Sequence, residues 1–182
     1  MQRISVKEMA VALSDYATVS DKATLYDAIM ALHRTRDQSD PDRPRHRAIL
    51  VVDRRSRVVG KIGYVELLQA LEPKYAGMGK ADHGGPFTSD FIKSQLQKYS
   101  LWQHPLDDLC RKAARFRVSD FMHRPAEAEF IDENATLDEA VHRFIMVRTL
   151  SLLLRRGDAV VGILRLSDVV EKIGEMIRVC QI

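Results

Sequence analysis

Ser167 and Asp168 stand where an apolar segment passes into an amphipathic one, a position at which side chains can bind a ligand. The segment from Ala159 to Val161 is typical of a strand. Apolar residues at helical spacing follow it: Val169, Ile173, Met176 and Ile177. A helix N-terminus favours a phosphate, and a carboxylate in the first turn can accept hydrogen bonds from sugar hydroxyls. The two residues also fit an ordinary helix start, with Ser167 as the N-cap and Asp168 in the first turn.

The composition is that of a globular protein. The 182 residues are 46% hydrophobic and 29% charged, which is enough apolar material for a substantial core. The formal net charge of +3 falls short of the clustered basic surface of a dedicated nucleic-acid binder. Cys110 and Cys180 are far apart and have no paired spacing, so they indicate neither a disulfide framework nor a metal site and fit a reducing compartment.

Several classes of protein lack support in the sequence. No apolar stretch approaches the roughly 18 residues of a membrane span, and the first residues lack the apolar run of a signal peptide, so we expect a cytoplasmic protein without membrane contact. The six histidines show no metal-binding spacing, and Walker, dinucleotide-binding and nucleophile-elbow motifs are absent. We therefore expect neither a metal site nor an enzyme.

The chain contains an internal repeat. Val6 and Val118 are 112 positions apart (118 minus 6), and so are Ala23 and Ala135, which each begin an Ala-Thr-Leu sequence. Further on, Gly60 and Gly162 are 102 positions apart (162 minus 60). The difference predicts a ten-residue insertion in the first repeat, at the polar, proline-broken segment 36–45.

Each repeat predicts the same elements: strand, helix, strand, strand, helix. The helix after each Ala-Thr-Leu shows apolar spacing of three and four residues. Thr136 with Glu139 predicts a capping box, and Thr24 with Asp27 a weaker copy. The closing helices are expected over 65–71 and 168–177. Because one such unit buries little by itself, we expect an α/β (α+β) fold in which the two repeats share a core.

The segment between the repeats, 73–117, is more than a linker. Glycines predict a flexible loop over 74–87, whereas 89–99 and 105–116 have helical spacing. Trp102, the only tryptophan, lies here. This insertion either packs on the repeats or offers a surface to a partner.

The entrances beginning at Val6 and Val118, the Ala-Thr-Leu helix starts and the sequence Gly162 to Asp168 resemble a pair of cystathionine β-synthase (CBS) domains, the Bateman module. The resemblance covers about 4–72 and 118–178 and leaves 73–117 unmatched. It implies two β-α-β-β-α repeats packed as a pseudo-twofold pair with two clefts, which binds AMP, ADP, ATP or S-adenosylmethionine and forms a homodimer. No cofactor is required for such a role.

The family's nucleotide motif is carried over position by position. Gly162 and Asp168 match the motif, and the resemblance implies that the Asp168 carboxylate accepts hydrogen bonds from the ribose hydroxyls. Arg165 replaces the usual Thr or Ser, where it either contacts a phosphate or fills the site. Ser167, Ile163 and Leu164 complete the motif segment, and Met9 and Ala10 from the other entrance are expected to pack on the adenine.

The first repeat departs further from the motif. Gly63 lies at the hydroxyl position and Glu66 at the carboxylate position, so at most one adenosyl site is expected, around Asp168. The candidate cations for phosphate are Arg165, Arg148, His46, Arg47 and Lys61.

These features predict a non-catalytic regulatory module that senses an adenosyl ligand between its repeats and signals to a protein partner of unknown identity. The alternative is a structural or interaction dimer with a degenerate nucleotide site that acts through 73–117. Nucleic-acid binding through the arginine-rich 34–47 segment is disfavoured, because acidic residues alternate with the arginines there.

Overall fold

The computed structural model describes residues 4–37, 48–78, 88–103 and 108–179. The strands in these ranges are Val11–Ala12 (β1), Thr18–Ser20 (β2), Ala48–Val52 (β3), Val58–Gly63 (β4), Phe130–Asp132 (β5), Ser151–Arg156 (β6) and Ala159–Arg165 (β7). The α-helices are Leu25–Asp37 (α1), Tyr64–Leu71 (α2), Ser89–Lys98 (α3), Leu109–Arg115 (α4), Val118–Phe121 (α5), Leu137–Val147 (α6) and Leu166–Val179 (α7). No helix in these parts of the chain is long and apolar enough to cross a bilayer.

Two sheets form, and they have the same internal plan. In one, β3 pairs in parallel with β2 and antiparallel with β4; in the other, β6 pairs in parallel with β5 and antiparallel with β7. The four-stranded sheet has the order β1-β7-β6-β5, and the three-stranded sheet the order β2-β3-β4. The predicted α/β fold built from two similar units is therefore confirmed.

The entrance segments are exchanged between the two halves. β1 precedes the first unit but pairs with β7 of the second, with Val11 opposite Ile163 and Ala12 opposite Gly162. His123 follows the second entrance and forms a bridge with Lys61 on β4, through two backbone hydrogen bonds of 2.9 Å. Each half thus completes the sheet of the other.

Gly162 permits one of these crossings. A Cβ atom at this position would lie 2.7 Å from the carbonyl oxygen of Val11, closer than real Cβ atoms approach. The backbone of β1 therefore passes where any other side chain would be, and the glycine is required for packing of strand on strand.

The described residues form four core clusters: one in each half, one between the sheets, and one where α4 packs on α1 and α2. The third cluster consists of Tyr16 and Leu50 from the first half with Leu153 and Ile163 from the second, all of them buried. The predicted core shared by the two repeats is present.

Both Ala-Thr-Leu sequences begin helices, α1 at Leu25 and α6 at Leu137, but the relative strength of their caps was predicted wrongly. Thr24 and Asp27 form the complete capping box: the Thr24 amide donates to the Asp27 carboxylate at 2.8 Å, and the Asp27 amide donates to the Thr24 hydroxyl at 3.2 Å. Thr136 accepts from the Glu139 amide at 3.4 Å, but the carboxylate of Glu139 pairs with Arg143, one turn further on. The ion pair draws the longer glutamate side chain along the helix.

In the described part of the segment between the repeats, most residues are helical. α3 matches its predicted range. α4 begins at Leu109 rather than at 105, and residues 104–107 lie outside the described ranges. Pro73–Gly77 forms a short 3-10 helix where a loop was expected, because proline favours the first turn of a helix; 79–87 lie outside the description. In the first repeat, α1 continues to Asp37, two residues into the predicted insertion, and 38–47 also lie outside the description.

Candidate functional site

The strand-to-helix junction of the motif has no loop. β7 ends at Arg165 and α7 begins at Leu166, so the prediction that Ser167 is the N-cap is wrong. Ser167 is the second helical residue, and its hydroxyl donates to Oδ1 of Asp168 at 3.2 Å. Asp168 lies in the first turn, as predicted.

A cleft of about 580 Å³ opens beside this junction. Its walls come from the entrance of the first repeat and from the motif and closing helix of the second. The lining residues are Ile4, Glu8, Met9, Arg165, Asp168, Glu171, Lys172 and Glu175. The structure therefore brings together Met9, Arg165 and Asp168, which were predicted from separate halves of the sequence.

The other predicted site residues lie around this cleft or beneath it. Ile163 and Leu164 are fully buried, the first between the two sheets and the second in the core of the second half. Gly162 is covered by β1. Ala10 is partly buried against the core of the second half. Contact between a ligand and these four residues stays a prediction.

Arg165 and Asp168 form an ion pair inside the cleft. The guanidinium Nε donates to Oδ2 of Asp168 at 2.6 Å, and each side chain is only 13% exposed. Because Ser167 donates to Oδ1, both carboxylate oxygens of Asp168 already accept hydrogen bonds. Arg165 is therefore bound to the carboxylate that, by the family resemblance, would accept hydrogen bonds from the ribose hydroxyls.

Tyr16 is a polar residue near this pair that sequence reasoning missed. Burial raises the pKa of its phenol to about 12; the positive charge of Arg165 opposes this change, and the negative charge of Asp168 adds to it. The phenol is therefore neutral at physiological pH. The available signal was the difference between the repeats, because Ala128 stands at the matching position, 112 residues further on.

The cleft carries more negative than positive groups. Four carboxylates line it, against two cations. Arg165 pairs with Asp168, and Lys172 pairs with Glu175 at 2.9 Å. Glu8 and Glu171 are exposed and have no cationic partner among the described residues. The buried pair and the exposed acidic rim are therefore distinct electrostatic features.

The matching region of the first half is built differently. The carboxylate of Glu66 accepts from the amide of Gly63 at 2.8 Å, so it caps α2. Ala70, which occupies the position of Lys172 in the other half, is buried against Leu25 and Ala113. Since Ala113 belongs to α4, the insertion packs over the first-half counterpart of the cleft.

Lys61 proves to be a structural residue rather than a candidate phosphate ligand of the cleft. Its ammonium group lies 2.5 Å from Glu129 and donates to the Thr149 hydroxyl at 3.0 Å. Arg148 ends α6 in a left-handed conformation and is not among the cleft residues. His46 and Arg47 lie outside the described residues. Within the described ranges, no group of three or more His, Cys, Asp or Glu side chains could hold a metal ion.

Comparison with known proteins supports the CBS assignment. Residues 118–175 match the family model described as "CBS domain". No curated protein matches the chain. Nearly the whole chain also matches solved structures of CBS-domain proteins, and TM-scores of about 0.6 at low sequence identity establish a shared fold.

Three of these structures illustrate the likeness. CBSX2, solved in complex with AMP, has a TM-score of 0.60 at 17% identity, covering 95% of this chain and 98% of the other. A CBS domain-containing protein of unknown function from Bacillus anthracis str. Ames Ancestor has a TM-score of 0.63 at 13% identity, covering 96% and 95%. A CBS-domain containing protein from Agrobacterium tumefaciens has a TM-score of 0.57 at 19% identity, covering 94% and 96%.

Proposed function

We propose that this chain, which carries a CBS domain at 118–175 within the fold of CBS-domain proteins, is a non-catalytic regulatory module that binds AMP, ADP, ATP or S-adenosylmethionine. The observation that carries the proposal is the cleft that joins Met9 of one repeat to Arg165 and Asp168 of the other. The AMP complex of CBSX2, a protein of the same fold, supports an adenosyl ligand.

The size and chemistry of the cleft suit such a ligand. A volume of about 580 Å³ lies within the range of small-molecule sites, roughly 300–1,000 Å³. A hydrogen bond to a charged carboxylate contributes about 1.5–3 kcal/mol, whereas micromolar affinity needs about 8 kcal/mol. Ile4 and Met9 offer apolar surface for the base, and Arg165 offers a cation for an anionic group. Together these contributions supply the remainder.

The walls of the cleft explain how occupancy is transmitted. Because the entrance of the first repeat and α7 of the second both line it, a ligand that contacts both walls favours one arrangement of the repeats. A ligand shifts such an equilibrium by its difference in affinity for the two arrangements. The module then signals to a protein partner, as a homodimer in the cytoplasm.

Thermal unfolding with each ligand tests the proposal. At about 1 mM, a ligand with a dissociation constant 100-fold lower adds roughly 2.7 kcal/mol of stability, a shift of several degrees in the midpoint. In Asp168→Ala, the ligand should no longer raise the midpoint above that of the same variant without ligand. Asp138→Ala, which removes an exposed first-turn carboxylate from α6, is the matched control and should retain it. Absence of any shift in the wild-type protein would contradict the proposal.

A second candidate is an interaction module that acts through the insertion. One observation in its favour is that Arg165 already binds the Asp168 carboxylate. Another is that the insertion exposes three apolar side chains: Ile92 (51% exposed), Leu96 (40%) and Trp102 (37%). This candidate predicts no ligand-induced shift in the wild-type protein or in Asp168→Ala. The thermal experiment therefore separates the two.

A further inference from the structure

We propose that Arg165 sets the ligand preference of the cleft: the site binds an adenosyl compound carrying one anionic group more tightly than the uncharged nucleoside or polyphosphates. This inference rests on the proposed function, since it concerns the same cleft. It follows from the buried Arg165–Asp168 pair and from the exposed acidic rim formed by Glu8 and Glu171. The pair sets the lower limit on the negative charge of the ligand, and the rim sets the upper limit.

The lower limit comes from the ion pair. The Asp168 carboxylate is largely buried and already accepts from the guanidinium at Oδ2 and from Ser167 at Oδ1, so ribose hydroxyls compete with the guanidinium for it. Both paired side chains are 13% exposed, so the displaced guanidinium would remain largely buried. A largely buried guanidinium that gives up its carboxylate weakens binding by roughly tenfold or more, even where its other contacts remain. A nucleoside without an anionic group therefore binds poorly.

An anionic group on the ligand removes this penalty by exchange. Asp168 releases the guanidinium and accepts from the ribose hydroxyls, while the guanidinium donates to the ligand's phosphate or carboxylate. Arginine suits this role because its planar fork binds such groups in a bidentate manner. The exchange leaves both buried charges with partners, so Arg165 acts as an internal competitor that only an anionic ligand can displace.

The upper limit comes from the rim. Glu8 and Glu171 are exposed and without a cationic partner among the described residues, and Lys172 is already paired with Glu175. Each further phosphate adds repulsion from these carboxylates, which is moderate and screened by salt because the groups are exposed. AMP, or S-adenosylmethionine with its single carboxylate, should therefore bind more tightly than ADP or ATP.

Titration calorimetry with adenosine, AMP, ATP and S-adenosylmethionine tests the inference. In the wild-type protein, AMP or S-adenosylmethionine should bind at least roughly tenfold more tightly than adenosine and several-fold more tightly than ATP. The arms with AMP and S-adenosylmethionine distinguish a phosphate from a carboxylate as the group that receives Arg165. In Arg165→Thr, adenosine should approach AMP to within a few fold.

Matched variants sharpen the comparison. Arg143→Thr removes an arginine paired with Glu139 on α6 and should leave every affinity unchanged. Glu171→Gln should narrow the difference between AMP and ATP, as should added salt.

Equal binding of adenosine and AMP to the wild-type protein would overturn the role of Arg165 and leave the proposed function standing. Binding of AMP by Arg165→Thr but not by the wild-type protein would overturn the exchange, because the arginine would then be a plain block. Failure of all four ligands on both proteins would overturn the proposed function as well. The wild-type comparison needs no variant, so it can overturn the inference even if Arg165→Thr fails to fold.

Discussion

The ammonium group of Lys61 lies 2.5 Å from the carboxylate of Glu129, and this contact joins β4 of the first repeat to the beginning of β5 in the second. The ring Nε2 of His123 donates to the other carboxylate oxygen at 2.6 Å. The Lys61 and Glu129 side chains are only 11% and 6% exposed. A polar contact therefore links the halves, beside the apolar cluster between the sheets.

Lys61→Met should lower the free energy of unfolding by about 3–5 kcal/mol, because it leaves the Glu129 carboxylate buried without its main partner. Adding Glu129→Leu should recover much of the loss, since the uncompensated charge is then gone. Urea unfolding of the two single variants and the double variant measures both effects. Arg57→Met, which breaks the exposed pair with Asp53, is the control and should cost less than about 1 kcal/mol. A double variant less stable than Lys61→Met would refute this interpretation.

The stability of the protein should fall in acid through the same group. Burial alone would raise the pKa of Glu129, but hydrogen bonds from Lys61, His123 and the Ala126 amide lower it from 4.5 to about 2. Because the pKa of Glu129 is lower in the folded protein than in the unfolded chain, its ionised carboxylate stabilises the folded state at pH values above about 4.5. This contribution is lost as the pH falls from about 4.5 to 2. Other carboxylates contribute too, so the measurement is the difference between wild type and Glu129→Gln. That difference should shrink over this pH window; a constant difference would exclude the linkage.

Gly162→Ala should be strongly destabilising, because the new methyl group would meet the backbone of β1, which is held by its pairing with β7. Gly174→Ala, in α7 with open space around it, should stabilise by up to about 1 kcal/mol, since alanine favours helix. If the close approach of β1 is correct, the thermal midpoint should be lower than that of the wild type in Gly162→Ala and higher in Gly174→Ala. Equal midpoints would show that β1 yields easily.

Ala113→Asp should detach α4 from α1 and α2, because it places a charge in the buried contact with Leu25 and Ala70. Ala114→Asp, on the exposed side of the same helix, should be nearly neutral. Hydrogen exchange of α4 amides measures the release. Ligand affinity at the Asp168 cleft should be unchanged, since α4 packs over the other half; its loss in Ala113→Asp would show that the halves communicate through this helix.

Much of the architecture is predictable from local pattern. The offsets of 112 and 102 residues, the helix periods and the Ala-Thr-Leu starts report short-range preferences, and the corresponding helices and paired strands are present. The relative strength of the α1 and α6 caps was predicted wrongly, because the Glu139 carboxylate can accept from either the Thr136 amide or Arg143. The spacing of Thr136 and Glu139 does not indicate which of the two it binds.

The site was only partly predictable. The family resemblance indicated Asp168, Arg165 and Met9, and the structure brings them to one cleft. The Arg165 ion pair was left open because it depends on burial, and Tyr16 was missed because its proximity arises from packing between sheets. Ser167 was misplaced since β7 runs directly into α7, and no residue type marks that boundary.

The pairing of Val11 with Ile163 also delays the completion of the second sheet while the polypeptide is being synthesised. The two residues are 152 positions apart (163 minus 11), and ribosomes add about 5–20 residues per second, so β1 waits for roughly 8–30 s before β7 has been made. During that interval the first sheet can form, but its own completing bridge to His123 is also still to come. The nascent chain therefore exposes unpaired strand edges until β7 has left the ribosome.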